Sequence, residues 1–175
     1  TKNRPFFDPL IVHTSAIDRV TDFAEWQDDR LYRLAQKFWP GPLTVICRRK
    51  DVICDLVTSG LDTVGVRVPA HPMTKILLNS LDFPLAAPSA NEFGRISPTT
   101  AEHVADQLSK RLSYILDGGA SRVGIESTIV AVMDGDLVIL RPGGISAELI
   151  RSEVGEVKFS SSLLDAKKHS EISLA

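Results

Sequence analysis

The stretch LAAPSANEFGRISPTTAEHV, residues 85–104, changes character within a few positions. It begins as an apolar strand, turns to Ser, Asn, Gly and Pro, and then resumes a helical pattern. Such a break exposes backbone N–H groups that neither a ladder nor a helix uses. We therefore expect the strand to end at a cleft, where Ser89 and Asn91 face a ligand and Gly94 lets the backbone turn. The alternative is an ordinary turn without a ligand, because the same residues are common in turns.

The helix that follows this break carries a capping signal. Ser97 or Thr99 is the expected N-cap, and Glu102 stands three residues after Thr99, as in a capping box. The free N–H groups of such a helix end form a site for an anion.

Helical and strand periods alternate along the rest of the chain, which predicts an α/β or α+β fold with a twisted mixed sheet and flanking helices. The predicted strands cover residues 9–13, 43–49, 63–68, 113–117, 127–134 and 137–142. The predicted helices cover residues 28–39, 71–82, 99–111 and 146–154. We expect the last two strands to form a hairpin across Gly135 and Asp136. Ser146 is the expected cap of the last helix, with Leu149 and Ile150 on its apolar side.

Composition restricts the class of protein. The 175 residues are 43% hydrophobic, which suits one domain with a substantial core. A formal net charge of -2 disfavours nucleic acid as the primary ligand. Cys47 and Cys54 fit neither a disulfide framework nor a zinc site, so we expect two buried, reduced thiols. Without a signal peptide or an apolar run long enough to span a membrane, the sequence predicts a cytoplasmic protein with no membrane partner.

Four breaks in the periodic pattern are candidates for chemistry. They are KNRPFFDP (2–9), APSANEFGRISPT (87–99), DGGASRVGIEST (117–128) and RPGG (141–144). Each combines small residues with hydroxyl, amide or guanidinium donors suited to phosphate or carboxylate. Arg67 stands inside an otherwise apolar strand, so it must be paired or face a cavity. The sequence contains neither a Walker-type phosphate loop nor a G-x-G-x-x-G fingerprint, which disfavours ATPases and dehydrogenases of those types.

The motifs KxRP…DPLIVH, FWPGPLTV, TVGVRVP, APSANxxGxxSPT, DGG…VGIESTIV and LRPGGIS follow one another in this order. Together they resemble the YrdC-type threonylcarbamoyl-AMP synthase family over about residues 2–150. The resemblance implies a YrdC-like α/β domain around a concave nucleotide-binding cleft. It also implies synthesis of L-threonylcarbamoyl-AMP and pyrophosphate from L-threonine, bicarbonate and ATP, with Mg²⁺ carried on the phosphates. The product would serve a downstream tRNA threonylcarbamoyltransferase machinery.

The same resemblance implies two groups of site residues and no catalytic nucleophile. The residues expected to bind ATP are Lys2, Arg4, Asp8, Thr63, Ser89, Asn91, Ser97 and Arg141. The residues expected to bind L-threonine are His13, Arg67, Ala87 and Ser127. Two other functions stay open: a carbamoyltransferase domain that forms carbamoyl-adenylate, and a non-catalytic module that binds double-stranded RNA or tRNA.

The ends of the chain carry a further expectation. We assign residues 1–158 to the YrdC-like domain and residues 159–175 to a polar tail or the start of an interdomain linker. In the family, a strand and loop of the type P-T-[ED]-T-x-Y-G-L precede the K-x-R-P motif and help form the amino-acid pocket. No such segment precedes Thr1, so we expect impaired threonine binding if Thr1 is the true start, and a whole site if residues precede it.

Overall fold

A computed structural model of the chain describes residues 8–161, and it builds them into a mixed sheet with helices. The strands are β1 Ile11–His13, β2 Ala24–Glu25, β3 Leu43–Arg49, β4 Thr63–Arg67, β5 Leu85–Ala87, β6 Thr128–Met133, β7 Asp136–Arg141 and β8 Lys158–Phe159. The α-helices are α1 Asp29–Phe38, α2 Asp55–Thr58, α3 Pro72–Asn79, α4 Ala101–Leu108 and α5 Ala147–Val154. The predicted α/β fold with a mixed sheet is confirmed.

The sheet has the strand order β5, β1, β4, β3, β6, β7, β8, and β2 pairs with β3 outside this path. β1 is parallel to β4 and β3 is parallel to β6, while the central β3 and β4 are antiparallel. The register places His13 of β1 beside Arg67 of β4. Residues from distant parts of the sequence therefore meet at the middle of the sheet.

Alternation along the strands gives the sheet two different faces. On β4, Val64 and Val66 are buried in the hydrophobic core, and Thr63, Gly65 and Arg67 line a cavity on the opposite face. The same alternation holds on the neighbouring strands β1, β3 and β6. Because successive side chains of a strand point to opposite sides, one face is free for polar groups without loss of the core.

Helices α1 and α5 pack against each other and contribute to the core. The Asp28 side chain caps α1 by accepting a hydrogen bond from the Arg30 N–H at 2.8 Å. Leu31 and Leu34 of α1 are fully buried, and burial of each such side chain stabilises the fold by about 2 kcal/mol. The described helices are neither long enough nor apolar enough to pass through a bilayer.

One local prediction is wrong, and the predicted hairpin of β6 and β7 is confirmed with its turn shifted by one residue. Residues 113–117 do not form a strand, and Tyr114 there is 93% exposed. Strand-forming side chains are not sufficient when no neighbouring strand among the described residues completes the ladder. The hairpin turn consists of Asp134 and Gly135, whose φ angles of 51° and 83° suit a two-residue turn, and Asp136 already pairs with Met133 in the sheet.

Two burial predictions are also wrong in part. Cys47 is buried as expected, but Cys54 is exposed because it precedes the short surface helix α2. Both cysteines are free. In α5, Ser146 caps the helix and Ile150 is buried as predicted, but Leu149 is 51% exposed. The buried stripe of this short helix is narrower than the sequence pattern suggests.

Candidate active site

The face of the sheet opposite the core forms the floor of a cleft with a volume of about 560 Å³. Strands β1, β3, β4 and β6 supply the floor, and the segment after β5 and the residues before β6 supply the walls. The polar groups in the cleft come from six separate parts of the sequence. The fold, and not local spacing, brings them together.

All the predicted site residues that the structure describes line this one cleft. They are Asp8, His13, Thr63, Arg67, Ala87, Ser89, Asn91, Ser97, Ser127 and Arg141. Lys2 and Arg4 lie outside the described residues. Which ligand each residue contacts stays a prediction.

Arg67 and His13 line the cleft side by side on neighbouring strands. The Arg67 Nε donates a hydrogen bond to the Gly41 carbonyl oxygen at 2.9 Å. The Pro-Gly-Pro segment at residues 40–42, just before β3, therefore fixes the guanidinium. Burial, and next the positive charge of Arg141, lower the pKa of Arg67. A guanidinium that is half-buried and faces a second guanidinium gains stability from a carboxylate ligand.

His13 stands beside Arg67 across the parallel β1–β4 pair. Its Nδ1 is buried and has no hydrogen-bond partner among the described residues. Burial, followed by the charge of Arg67, lowers the pKa of His13, so its imidazole is neutral near pH 7. A neutral ring with an unsatisfied nitrogen suits a hydrogen bond to a polar ligand.

Arg141 and Glu126 form a second charged group in the cleft. The Arg141 Nε and Nη2 both donate to the Ser127 carbonyl oxygen, at 3.1 and 3.0 Å, and the Nη1 forms an ion pair with Glu126. Glu126 also accepts a hydrogen bond from Ser97 Oγ at 2.8 Å. Ser127 Oγ lies 2.8 Å from Thr44 Oγ1 on the floor. These contacts form one continuous polar network across the cleft.

The segments RPGG (141–144) and GIEST (124–128) pack closely against each other beneath this network. A Cβ added to Gly143 would lie only 2.6 Å from the Ser127 carbonyl carbon and from the Thr128 nitrogen. The Gly144 N–H donates to the Glu126 carbonyl oxygen at 2.9 Å, and the Thr128 hydroxyl bonds to the Ile145 backbone. The glycines of this motif therefore allow close backbone packing that fixes Glu126 and Ser127, whereas the sequence suggested close approach of a ligand.

Gly65 keeps the floor of the cleft open between Thr63 and Arg67. A Cβ at this position would lie 3.3 Å from Thr44 Cγ2 and 3.6 Å from Ile11 Cγ1. Side chains from both neighbouring strands thus already approach the space above the Gly65 backbone. Any side chain there would project into the middle of the cavity.

The segment after β5 forms a wall through short local bonds. The Asn91 Nδ2 donates to the Arg95 carbonyl oxygen at 2.6 Å, and Gly94 has a φ of 81°, which permits the turn between them. The capping prediction for α4 is wrong in detail. Thr100 Oγ1 accepts from the His103 N–H at 3.3 Å, whereas the Ser97 hydroxyl turns into the cleft toward Glu126.

Sequence reasoning missed Glu126 and Thr44 as members of the site. Thr44 had a weak signal, since it is a polar residue between apolar neighbours in a buried strand. Glu126 stands inside a motif that was already assigned to the cleft, but an acidic residue is not expected near an anionic ligand. The three-dimensional network alone identifies it.

The donor set does not fit a metal held by the protein alone. Within residues 8–161, no three side chains of the His, Cys, Asp and Glu types come close enough to hold an ion.

Comparison with known proteins identifies the family of the chain. The family model for Sua5, YciO and YrdC, described as "Telomere recombination", matches residues 1–143. The chain belongs to the Sua5/YciO/YrdC family. The family also accounts for the mixed sheet, because a solved structure, that of Pyrococcus abyssi Sua5 complexed with L-threonine, superimposes with a TM-score of 0.89 at 39% identity. The alignment covers 93% of this chain and 48% of that one.

Curated members of the family give the same result. The chain is 41% identical to the threonylcarbamoyl-AMP synthase of Pyrococcus abyssi, over 90% of this chain and 46% of the relative. It is 42% identical to the threonylcarbamoyl-AMP synthase of Bacillus subtilis, over 94% of this chain and 48% of the relative. The chain thus spans about half the length of the curated relatives it matches.

Proposed function

We propose that the cleft binds ATP and L-threonine and, with bicarbonate, produces L-threonylcarbamoyl-AMP and pyrophosphate. The observation that carries this proposal is the convergence of Arg67 and Arg141 on one cleft that is also lined by the hydroxyl groups of Thr63, Ser89, Ser97 and Ser127. Relatives named threonylcarbamoyl-AMP synthase, at 41 and 42% identity, support the proposal. A related protein with L-threonine bound supports the choice of amino acid.

Arg67 would bind the threonine carboxylate in the part of the cleft that it shares with His13. The fixed guanidinium offers its terminal nitrogens, because Nε is already engaged with Gly41. His13 would contact the polar atoms of the same amino acid, and Ala87, opposite Ile11 in the sheet, leaves space for its side chain. A binding site of this kind places the threonine amine toward the centre of the cleft, where bicarbonate would react.

In the first chemical step, the threonine amine attacks the carbon of bicarbonate, and water leaves as the carbamate forms. An oxygen of the carbamate then attacks the α-phosphorus of ATP, and the bond to pyrophosphate breaks in line. Neither step needs a covalent bond to the protein. The contribution of the cleft is therefore orientation and fixed positive charge near the phosphoryl oxygens.

The nucleotide would lie toward Arg141, with hydroxyl and amide contacts from Thr63, Ser89, Asn91, Ser97 and nearby residues. Among the described residues of the cleft, Arg67 and Arg141 are balanced by Asp8 and Glu126. A triphosphate thus requires further positive charge. We propose that Lys2 and Arg4 supply it, with Mg²⁺ arriving on the nucleotide phosphates.

Other parts of the proposal concern the wider reaction. A cytoplasmic tRNA threonylcarbamoyltransferase machinery would use the product to modify tRNA. The balanced charges among the described lining residues do not favour RNA as the ligand of the cleft itself. The boundary between a domain at residues 1–158 and a tail at 159–175 also stays a proposal.

The direct test is release of pyrophosphate by the purified full-length protein with ATP, bicarbonate and L-threonine. We expect release that depends on threonine, and L-serine and L-valine are matched controls for the side chain. Release that proceeds equally with carbamoyl phosphate in place of threonine and bicarbonate would favour carbamoyl-adenylate formation. Absence of release together with absence of ATP binding would contradict the proposal.

A further inference from the structure

Glu126 is a carboxylate beside Arg141, in the part of the cleft that is proposed to receive the most negative ligand. Its two oxygens are both engaged: Oε1 accepts from Ser97 Oγ at 2.8 Å, and Oε2 pairs with Arg141. Ser97 and Arg141 are the two residues of this network that we expect to contact ATP. The carboxylate therefore occupies the same donors that a phosphate group would use.

Arg141 does not depend on Glu126 for its position. Its Nε and Nη2 donate to the Ser127 carbonyl oxygen, and Nη2 also lies 3.1 Å from Ser127 Oγ. The Ser127 backbone is itself held by the interlocked RPGG segment. Removal of Glu126 would leave the guanidinium in place with its Nη1 free.

The Glu126 carboxylate can also separate from Arg141 at a small cost in free energy. The Glu126 side chain is 42% exposed and that of Arg141 is 35% exposed, so water can solvate the carboxylate when it moves away. Ion pairs with this exposure contribute little to stability. A triphosphate or pyrophosphate carries more charge than one carboxylate and can replace it at Arg141.

We propose that Glu126 is an internal counter-ion that holds Ser97 and Arg141 in the ligand-free cleft and competes with phosphate for both. It is a positioning residue, and it lowers the affinity for ATP and for pyrophosphate. Weaker binding of pyrophosphate assists release of that product. This inference rests on the proposed function for the identity of the ligand, but the competition itself concerns any phosphate anion at Arg141.

The test is isothermal titration of the full chain with ATP and, separately, with inorganic pyrophosphate. Glu126→Gln removes the charge and keeps the size of the side chain, and Glu126→Asp keeps the charge. We expect the Gln variant to bind both ligands about fivefold more tightly, as for loss of one exposed opposing charge, and the Asp variant to stay near wild type. The gain should shrink at high salt, because screening weakens the competition.

A matched control is Asp136→Asn at the other end of β7, where the carboxylate pairs with Lys158 at 2.6 Å outside the cleft. It should leave both affinities unchanged. In an Arg141→Gln background, Glu126→Gln should increase pyrophosphate binding much less than in wild type, because only the competition at Ser97 remains. These two results would attribute the gain to competition at Arg141.

Equal or weaker binding of both ligands by Glu126→Gln overturns the inference, since the residue would then assist binding. If neither wild type nor variant binds ATP, the proposed function fails. The counter-ion inference is then decided by pyrophosphate alone: tighter binding by the Gln variant supports it, and no gain or no binding rejects it.

Discussion

Replacement of Arg67 by methionine should separate stability from ligand binding. The folded protein holds this guanidinium half-buried and opposite Arg141, and both features lower the pKa of Arg67 because they disfavour its charge. The charge therefore costs folding free energy. Methionine keeps an apolar stem of similar length and removes that cost.

The expected change in the free energy of unfolding is small. Loss of the hydrogen bond to the Gly41 carbonyl oxygen costs about 1 kcal/mol. Removal of the buried charge acts in the opposite direction, so the net change should stay within about 1 kcal/mol of wild type. Threonine binding should weaken by at least about 2 kcal/mol, or roughly 30-fold, because the ligand carboxylate loses its charged partner.

Urea denaturation and calorimetric titration with L-threonine and a nonhydrolysable ATP analogue measure the two effects. Arg49→Met is the matched control, since Arg49 pairs with Asp55 at 2.6 Å and is not a lining residue of the cleft. That control should lose stability and keep its affinity for threonine. An unchanged threonine isotherm for Arg67→Met would remove Arg67 from the amino-acid site, and a stability loss above about 3 kcal/mol would make its role structural.

Two further predictions concern packing and protonation. Gly143→Ala should lower the free energy of unfolding by about 2 kcal/mol or more, since its Cβ meets backbone atoms, and it should weaken ATP binding by displacing Ser127. Gly155→Ala is the control, because an added Cβ there meets nothing within 4 Å and only the positive φ of Gly155 opposes the substitution. This variant should lose some stability and keep its affinity for ATP. Equal losses of ATP affinity in the two variants would refute the packing argument. As pH falls below the ordinary His value of 6.5, the unfolded chain takes up a proton that buried His13 resists, so stability should decline. Denaturation curves measured between about pH 7.5 and 5.5 give the loss of stability with falling pH, and this loss should be smaller in His13→Gln than in wild type. An identical loss in both proteins would exclude His13 as the titrating group.

The alternation of side chains made much of the cleft predictable. On β4, the apolar residues Val64 and Val66 mark the core face, and Thr63 and Arg67 share the other face by parity alone. An arginine in such a strand needs a cavity or a partner, and the structure shows both. Local pattern was sufficient here because a strand has only two faces.

Contacts between distant segments were not predictable in the same way. Glu126 binds Ser97 and Arg141 only because the fold brings three separate segments together. Residues 113–117 have the composition of a strand, but a strand also requires a neighbour, which no local pattern reports. The exposure of Cys54 likewise depends on where α2 lies on the surface.

The spacing of side chains on strand β4 sets the length of a ligand that can contact both Thr63 and Arg67. Thr63 and Arg67 are separated by four residues of extended backbone, which corresponds to about 13 Å at the usual rise per residue. A ligand that contacts both must be elongated. Any change in this spacing comes in steps of two residues, or about 6.6 Å, because a step of one would turn the side chain into the core. The distance between two ligand-binding side chains on this strand can therefore change only in steps of two residues, and the length of the ligand that spans them changes by the same steps.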